Sequence, residues 1–426
     1  MDSTLRIEFD FDDVLYKLIC IFAFTIPFEL ILEVLFDIET VFKPFRVAAL
    51  LIIGVFGLKT LKLGLTINTN DRADFFIYLM IVYGVIVSCT KMVTGVFNYN
   101  MFSNDLLLLG LLIINFFIIK STPLSRKQML TIYKYLVVGV TINSLYIFYQ
   151  FTILGIHGRI AGFIDNPNYG SLGVAAILIY VLMIYGNLRS IRKQVLYLIY
   201  MAFLIYIFVI EGSRTGLVVL MVSILFIFYY YSIKKKIAFI VIGGLLSIFI
   251  IAKSGQYSEF AGGPLNLVSR VAYDVNTGEQ DVRFRLWKGL FVMLESEGYA
   301  GMGIGQYKAK FSHYYRDNPD RLIAKIVSRG YYLSTHSDYL AILTDYGLPG
   351  LGLYILFIYF TAKKLQIRIL DYGGDEDDKI YYRLSVVLFF SLMIFGLASE
   401  NFQHPLFWFL LAFSTKDVPI AKTTTI

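Results

Sequence analysis

Apolar runs long enough to cross ~30 Å of hydrocarbon as helices recur along the whole chain. They lie at Val14 to Phe36, Phe45 to Leu58, Phe75 to Cys89, Asn104 to Ile119, Ile132 to Leu154 and Leu172 to Leu188. Six more follow at Val195 to Ile210, Gly216 to Ser232, Ile237 to Ala252, Gly347 to Ala362, Leu384 to Ala398 and Pro405 to Phe413. The second and the last are short enough to be re-entrant, so the expected count is about 12, within one or two. Of the 426 residues 57% are hydrophobic and 16% charged, which leaves too little polar surface to cover a soluble fold of this size. The pattern predicts an all-α integral membrane protein whose solvent is the lipid bilayer.

The chain carries a formal charge of +7. Basic residues of membrane proteins collect in cytoplasmic loops, so the excess does not point to nucleic acid. One set of alternate loops holds Lys59, Lys62 and Arg72, then Lys120, Arg126 and Lys127, then Arg189, Arg192 and Lys193, then Lys234 to Lys236, then Lys363, Lys364 and Arg368. The opposite set holds only Lys43 and Arg46, Lys91, Arg159 and Arg214 before the long connection, and nothing basic between Ser399 and His404. Both termini are therefore expected in the cytoplasm. The opening segment MDSTLRIEFDFDD is acidic where a cleavable signal would be basic, so the first run is expected to be a retained span. The two cysteines, Cys20 and Cys89, form neither a disulfide framework nor a metal-ligand spacing.

This orientation puts the one long connection, Lys253 to Thr335, on the outer (periplasmic or extracellular) side between spans 9 and 10. The chain then divides into nine helices over 1–252, an outer loop subdomain over 253–335, and the last three helices with the C-terminus over 336–426. Within the loop, Val282 to Tyr299 carries Phe284, Leu286, Trp287, Leu290, Phe291 and Leu294 near helical spacing, so it is expected to fold rather than hang free. All four histidines, His157, His313, His336 and His404, fall on the same outer face. Histidine is the side chain best suited to proton transfer near neutral pH, and no HxxxH or HExxH pair suggests a metal.

Two arginines stand in short glycine-bearing outer loops, Arg159 in GRIAGFIDNPNYG and Arg214 in EGSRTG. The planar guanidinium fork matches phosphate oxygens in pairs, which at a membrane surface suits a lipid-linked phosphate. Taken singly, each also fits a headgroup anchor. Asn166, Pro167 and Asn168 read first as a turn and helix cap. RFRLW places Arg283 one turn before Trp287, while Arg283 and Arg285 point about 200° apart on a helix and cannot share one pocket. GMGIGQY lacks the strand and spacing of a dinucleotide fingerprint and reads as a tight turn. His336 opens THSDYLAILTDYGLPG, a short helix that runs to a Gly-Leu-Pro-Gly break and then a span. It can serve as a base with Asp338 or another carboxylate orienting it, or it can simply cap that helix.

Taken in order, these segments resemble the O-antigen ligase and polymerase family of bacterial membrane glycosyltransferases, from about Gly155 to Ile355. The resemblance rests on a GR-G-NPN loop (Arg159, Asn166, Asn168), an SR-G loop (Arg214) and an R-x-x-x-W helix (Arg283, Trp287). A G-x-G-x-G turn and an H-x-x-Y-L helix (His336) before GLPG complete it. The chain departs from the family pattern at Ser337, where Asn is usual, and at Asp345, where Glu is more frequent; both leave the acceptor contacts open.

The resemblance implies a GT-C-like fold in a bacterial inner membrane. It implies transfer of a glycan from an undecaprenyl-pyrophosphate-linked donor to a glycan or lipid acceptor hydroxyl at the outer face, with no metal or other cofactor. Carried over by position, Arg159, Arg214 and Arg283 hold the pyrophosphate and His336 is the base. Asn166, Asn168, Trp287, Arg285, Asp338 and His313 are the candidates for substrate contact. Attack opposite the leaving group would invert the anomeric centre. A polymerase of surface polysaccharide is the first expectation, with chain-length regulator and flippase proteins as partners, and an O-antigen ligase is the alternative. A lipid-linked oligosaccharide flippase is the alternative of another class, kept open by Glu29 and Glu33 near the outer end of the first run.

Overall fold

The computed structural model describes residues 10–37, 43–64, 71–94, 97–156, 160–229, 282–316, 334–370 and 376–417. The described residues are helical, without strands. In chain order the helices are α1 (Phe11–Thr25), α2 (Ile31–Phe36), α3 (Pro44–Leu63), α4 (Arg72–Thr94), α5 (Tyr99–Ser121), α6 (Arg126–Thr152) and α7 (Pro167–Asn187). They continue with α8 (Ile191–Glu211), α9 (Arg214–Tyr229), α10 (Val282–Glu297), α11 (Gln306–Arg316), α12 (Asp338–Leu370), α13 (Glu376–Ala398) and α14 (Pro405–Thr415).

Among the described residues eight helices are long and apolar enough to cross a membrane: α3 to α8, α12 and α13. The expected span at Ile237 to Ala252 lies outside the described residues, as do Lys234 to Lys236. Expectations change at the first two runs. The run Val14 to Phe36 is not one span, because α1 stops at Thr25 just before Pro27, and a turn leads into the six-residue α2. Proline lacks the amide a continuing helix needs. The second run, short in the sequence, is a full 20-residue helix that starts with Pro44 in its first turn.

Burial ranks the helices. In the most apolar stretch of α7 83% of residues are buried, against 28% in α3 and α4, which turn most of their surface outward. α14 is buried all round, from Pro405 to Thr415. At ~1.5 Å per residue its 11 residues fall short of a bilayer. It is instead a core helix, apolar on every side because it meets protein on every side. Trp408 is its centre, edge-on to Phe116, Phe402 and Phe407, with its indole N–H donating to the Phe402 carbonyl at 2.6 Å.

Ion pairs sort the helix ends into two groups. At one end Lys59 meets Asp12 at 2.6 Å, Lys120 meets Asp74 at 2.5 Å, and Lys416 donates to the Thr122 carbonyl at 2.6 Å. This end gathers the described basic loops. At the other, Lys43 meets Glu29 at 2.5 Å, Lys91 meets Glu297 at 3.4 Å, and the Asn98 amide donates to Gln306 at 2.8 Å. Glu29 therefore stands in the turn after α1, already paired, rather than inside a span.

α12 breaks where GLPG suggested. Gly347 adopts φ 67°, and Pro349 follows inside the helix. The glycine-rich turn before α11 pairs with this break: Met302 N–H donates to the Thr344 carbonyl at 2.8 Å, Gly303 to Asp345 at 3.0 Å, and Leu348 to Tyr299 at 2.9 Å. Gly301, Gly303 and Gly305 all have positive φ, and a Cβ on Gly301 would lie 2.8 Å from the Asp345 carbonyl oxygen. Close approach of two backbones thus accounts for GMGIG as a tight turn. α10 buries Leu286, Leu290, Met293 and Leu294 against Met302, Tyr307, Phe311 and Leu343, so its apolar face packs on the break and on α11. Phe291 is 46% exposed and stands off that face.

Candidate active site

The link from Ser334 to Ser337 leads into α12 at the end of the bundle away from the basic loops. His336, half-buried, has φ 53°, one of two non-glycine residues with positive φ among the described residues. Such backbone costs of order 1–3 kcal/mol and persists only where surrounding contacts over-determine it. Those contacts converge on Glu400, in the short loop between α13 and α14. Its Oε2 accepts from Ser334 Oγ at 2.6 Å, Thr335 N–H at 3.0 Å, Thr335 Oγ1 at 3.1 Å and Tyr307 OH at 2.8 Å. The His336 amide donates to Ser334 Oγ at 3.1 Å. From the other side, the Trp287 indole donates to the Thr335 carbonyl at 2.8 Å.

The charge balance keeps Glu400 ionised. Burial favours its neutral form, but Lys308 and the hydroxyls of Ser334, Tyr307 and Thr335 outweigh it and hold the carboxyl below its ordinary range. Lys308 is raised in return: burial works against its charge, and Glu400 with Asp105 more than compensates. Its ammonium lies 3.5 Å from Glu400 Oε1 and donates to Gln403 Oε1 at 3.1 Å, while Gln403 Nε2 donates to Asp105 at 2.8 Å.

Arg214 begins α9 on the neighbouring turn. Gly212 closes α8 in left-handed backbone, and the buried Ser213 caps α9 by accepting from the Gly216 amide at 3.1 Å. Ser213 Oγ also donates to Asn168 Oδ1 at 3.1 Å, which ties the Arg214 turn to the start of α7. There Asn166 Oδ1 accepts from the Asn168 amide at 2.9 Å and Pro167 takes the first helical position, the turn and cap read from the sequence.

The two turns share neighbours. Thr215 Oγ1 donates to the Ala398 carbonyl at 3.3 Å, and Tyr169 OH donates to the Glu400 carbonyl at 2.7 Å. The Tyr169 ring lies 3.9 Å from that of His404, whose Nδ1 caps α14 and whose Nε2 is 3.8 Å from Glu29 Oε2. The 398–404 loop is therefore the hub on which the backbones carrying Arg214, Asn168 and His336 are all hung.

The sequence candidates fall as follows. Arg214, Asn166, Asn168, Trp287 and His336 belong to this end, with Arg283 half-buried one turn before Trp287. Arg159 and His157 lie outside the described residues, and so do the side chains of Arg285 and His313, whose backbones belong to α10 and α11. Asp338 does not orient His336. Its Oδ1 accepts from the amides of Asn401 at 2.5 Å and Phe402 at 2.8 Å, so its carboxylate is spent on the same hub. The carboxylate beside the His336 backbone is Glu400, which sequence reading missed along with Lys308, Tyr307 and Tyr169. The one available signal was an acid in the short polar stretch SENFQH between two apolar helices. Among the described residues no group of three or more His, Cys, Asp or Glu side chains could hold a metal ion.

Fold and site together define a multi-pass helical membrane protein whose buried polar machinery is gathered at one end of the bundle. Residues 199–355 match the O-antigen ligase family, and the matched stretch contains Arg214, Arg283, Trp287 and His336 but not Arg159, Asn166 or Asn168. The match covers the motif resemblance from residue 199 onward, and it bears out that resemblance to the O-antigen ligase and polymerase family. No curated protein matches the chain.

Proposed function

We propose that the protein is a GT-C-like glycosyltransferase of the bacterial inner membrane. In this reading it moves an undecaprenyl-pyrophosphate-linked oligosaccharide to the hydroxyl of a second glycan, as a polymerase of surface polysaccharide, and its site faces away from the cytoplasm. His336 takes the proton of the acceptor hydroxyl as that oxygen bonds to the anomeric carbon of the donor. The bond from that carbon to the pyrophosphate oxygen breaks in the same step, and the lipid pyrophosphate leaves with its electron pair. Attack from the opposite face inverts the anomeric centre. Arg214, Arg283 and Arg159 stabilise the leaving diphosphate, whose charge grows along the reaction, so their fixed charges favour the transition state over the bound donor.

The observation that carries this reading is the left-handed backbone of His336 held by an ionised Glu400 on the same loop that braces the Arg214 turn. Strained backbone of this kind is found where a side chain must be presented in one direction. A neutral imidazole near pKa ~6.5 is a suitable proton acceptor at working pH.

The test is the glycan length distribution in cells lacking the gene. A polymerase leaves single repeat units, which a plasmid copy extends again. Long chains stranded on the lipid carrier would instead assign the ligase activity. Unchanged glycan would refute both.

A further inference from the structure

At the basic end of the bundle, away from Glu400 and His336, the starts and ends of α4, α5 and α12 enclose a cavity of ≈ 540 Å³. Five basic and three acidic side chains line it. Asp71 pairs with Lys364 and lies 3.3 Å from Lys120; Asp74 takes Lys120 at 2.5 Å; Asp417 takes Lys364 at 2.5 Å and also pairs with Arg368. Burial alone would raise the Asp71 carboxyl, but Lys120 and Lys364 hold it at about 2, so Asp71 stays charged beneath the cavity. Arg72 and Lys363 remain at the rim, both exposed, and among the described residues neither has an acidic partner.

Lys363 also borders a second cavity of ≈ 440 Å³ between α12 and α13, lined chiefly by Tyr359, Ala362, Leu365, Val386 and Phe390. A cationic recess at the helix ends thus meets, at Lys363, an apolar groove bordered by the exposed Tyr359. The combination matches an amphiphile with an anionic head and a hydrocarbon tail. A guanidinium and an ammonium supply fixed donors for a phosphate, and basic recesses between membrane helices take anionic headgroups. A zwitterionic lipid would bring its own ammonium against the same two cations.

We propose that these adjoining cavities bind one anionic phospholipid, with its phosphate between Arg72 and Lys363 and an acyl chain along the α12–α13 groove. The site is independent of the glycan-transfer reading, since it uses none of the same residues and needs only a bilayer around the helices.

The experiment is native mass spectrometry of the full-length, delipidated protein titrated with phosphatidylglycerol or with phosphatidylcholine of the same chains. Phosphatidylglycerol should bind at one molecule per chain, and R72E/K363E should weaken it by about tenfold or more. The control R192E/K193E reverses two exposed charges on α8 at the same end of the bundle and should leave binding unchanged. If the double reversal fails to elute as a folded species, R72Q and K363Q carry the same test, each with about threefold weakening. Equal binding of the two lipids, wild-type affinity in the reversed variants, or displacement of the lipid by inorganic phosphate would overturn the proposal.

Discussion

Glu400→Gln separates the positioning of His336 from its chemistry. Four donors end on one carboxylate oxygen, Oε2, and Lys308 faces the other at 3.5 Å. Glutamine keeps the shape, but its amide can offer oxygen to only one of these two sides. With the oxygen toward the four donors, the amide nitrogen meets the Lys308 ammonium; with the amide reversed, the four donors lose their acceptor. In the better orientation each bond falls from charge-assisted to neutral, a loss of ~1 kcal/mol per bond. Bonds sharing one atom are not additive, so the set loses roughly 2–4 kcal/mol. At 1.4 kcal/mol per decade this lowers the equilibrium constant for the His336 conformation by roughly 30- to 1,000-fold. We therefore predict that the purified variant, monodisperse in detergent, turns over lipid-linked oligosaccharide ~10²-fold more slowly, with a donor KM within about threefold of wild type. Mass-resolved product after timed incubation measures both. Turnover within about threefold of wild type, from folded protein, would refute the reasoning.

Three further outcomes follow from the geometry. Gly347→Ala should destabilise the α12 break by ~2 kcal/mol or more, because its Cβ would meet the Ala300 carbonyl carbon at 2.3 Å in left-handed backbone; thermal melting in detergent reads it. Asn168→Ala removes the acceptor of the buried Ser213 hydroxyl and should slow turnover through the Arg214 turn while costing ~1–3 kcal/mol in stability, whereas Asn168→Asp, which retains an acceptor, should recover most of both. Glu29 gives a pH test: burial would raise its carboxyl, but His404 and Lys43 hold it at about 2, below its ordinary 4.5. A depressed carboxyl stabilises fully above its unfolded value and loses that contribution as pH falls through about 2. The melting-temperature gap between wild type and Glu29→Gln should accordingly be wider at about pH 5 than in buffers approaching about pH 3. A constant gap would contradict it.

Long apolar runs and the alternation of basic loops were legible in the sequence because lipid imposes them locally, residue by residue. The α12 break was legible for the same reason, since glycine and proline act on their own backbone. The split after α1 carried its signal at Pro27 but was masked by apolar residues on both sides. α14 was harder: 11 apolar residues read as a short span, and only the packing around Trp408 shows a core helix. The Glu400 hub was not legible, because its partners Ser334 and Thr335 stand more than 60 positions away, and no local periodicity connects an acid in one loop with a strained histidine in another. Asp338 misled for the converse reason. Proximity in sequence to His336 suggested an orienting carboxylate, while the fold turns it toward the Asn401 and Phe402 amides.

The proposed transfer requires one imidazole and one guanidinium acting on a lipid-linked glycan at the same end of the bundle. Incubating purified wild type, His336→Ala and Arg214→Ala with lipid-linked oligosaccharide in detergent, without any ion gradient, tests it directly. Wild type should lengthen or transfer the glycan and release lipid pyrophosphate, and each variant should lose ~10²-fold or more of that turnover while remaining folded. Full activity in both variants, or no glycan transfer by wild type on its native donor, would contradict it.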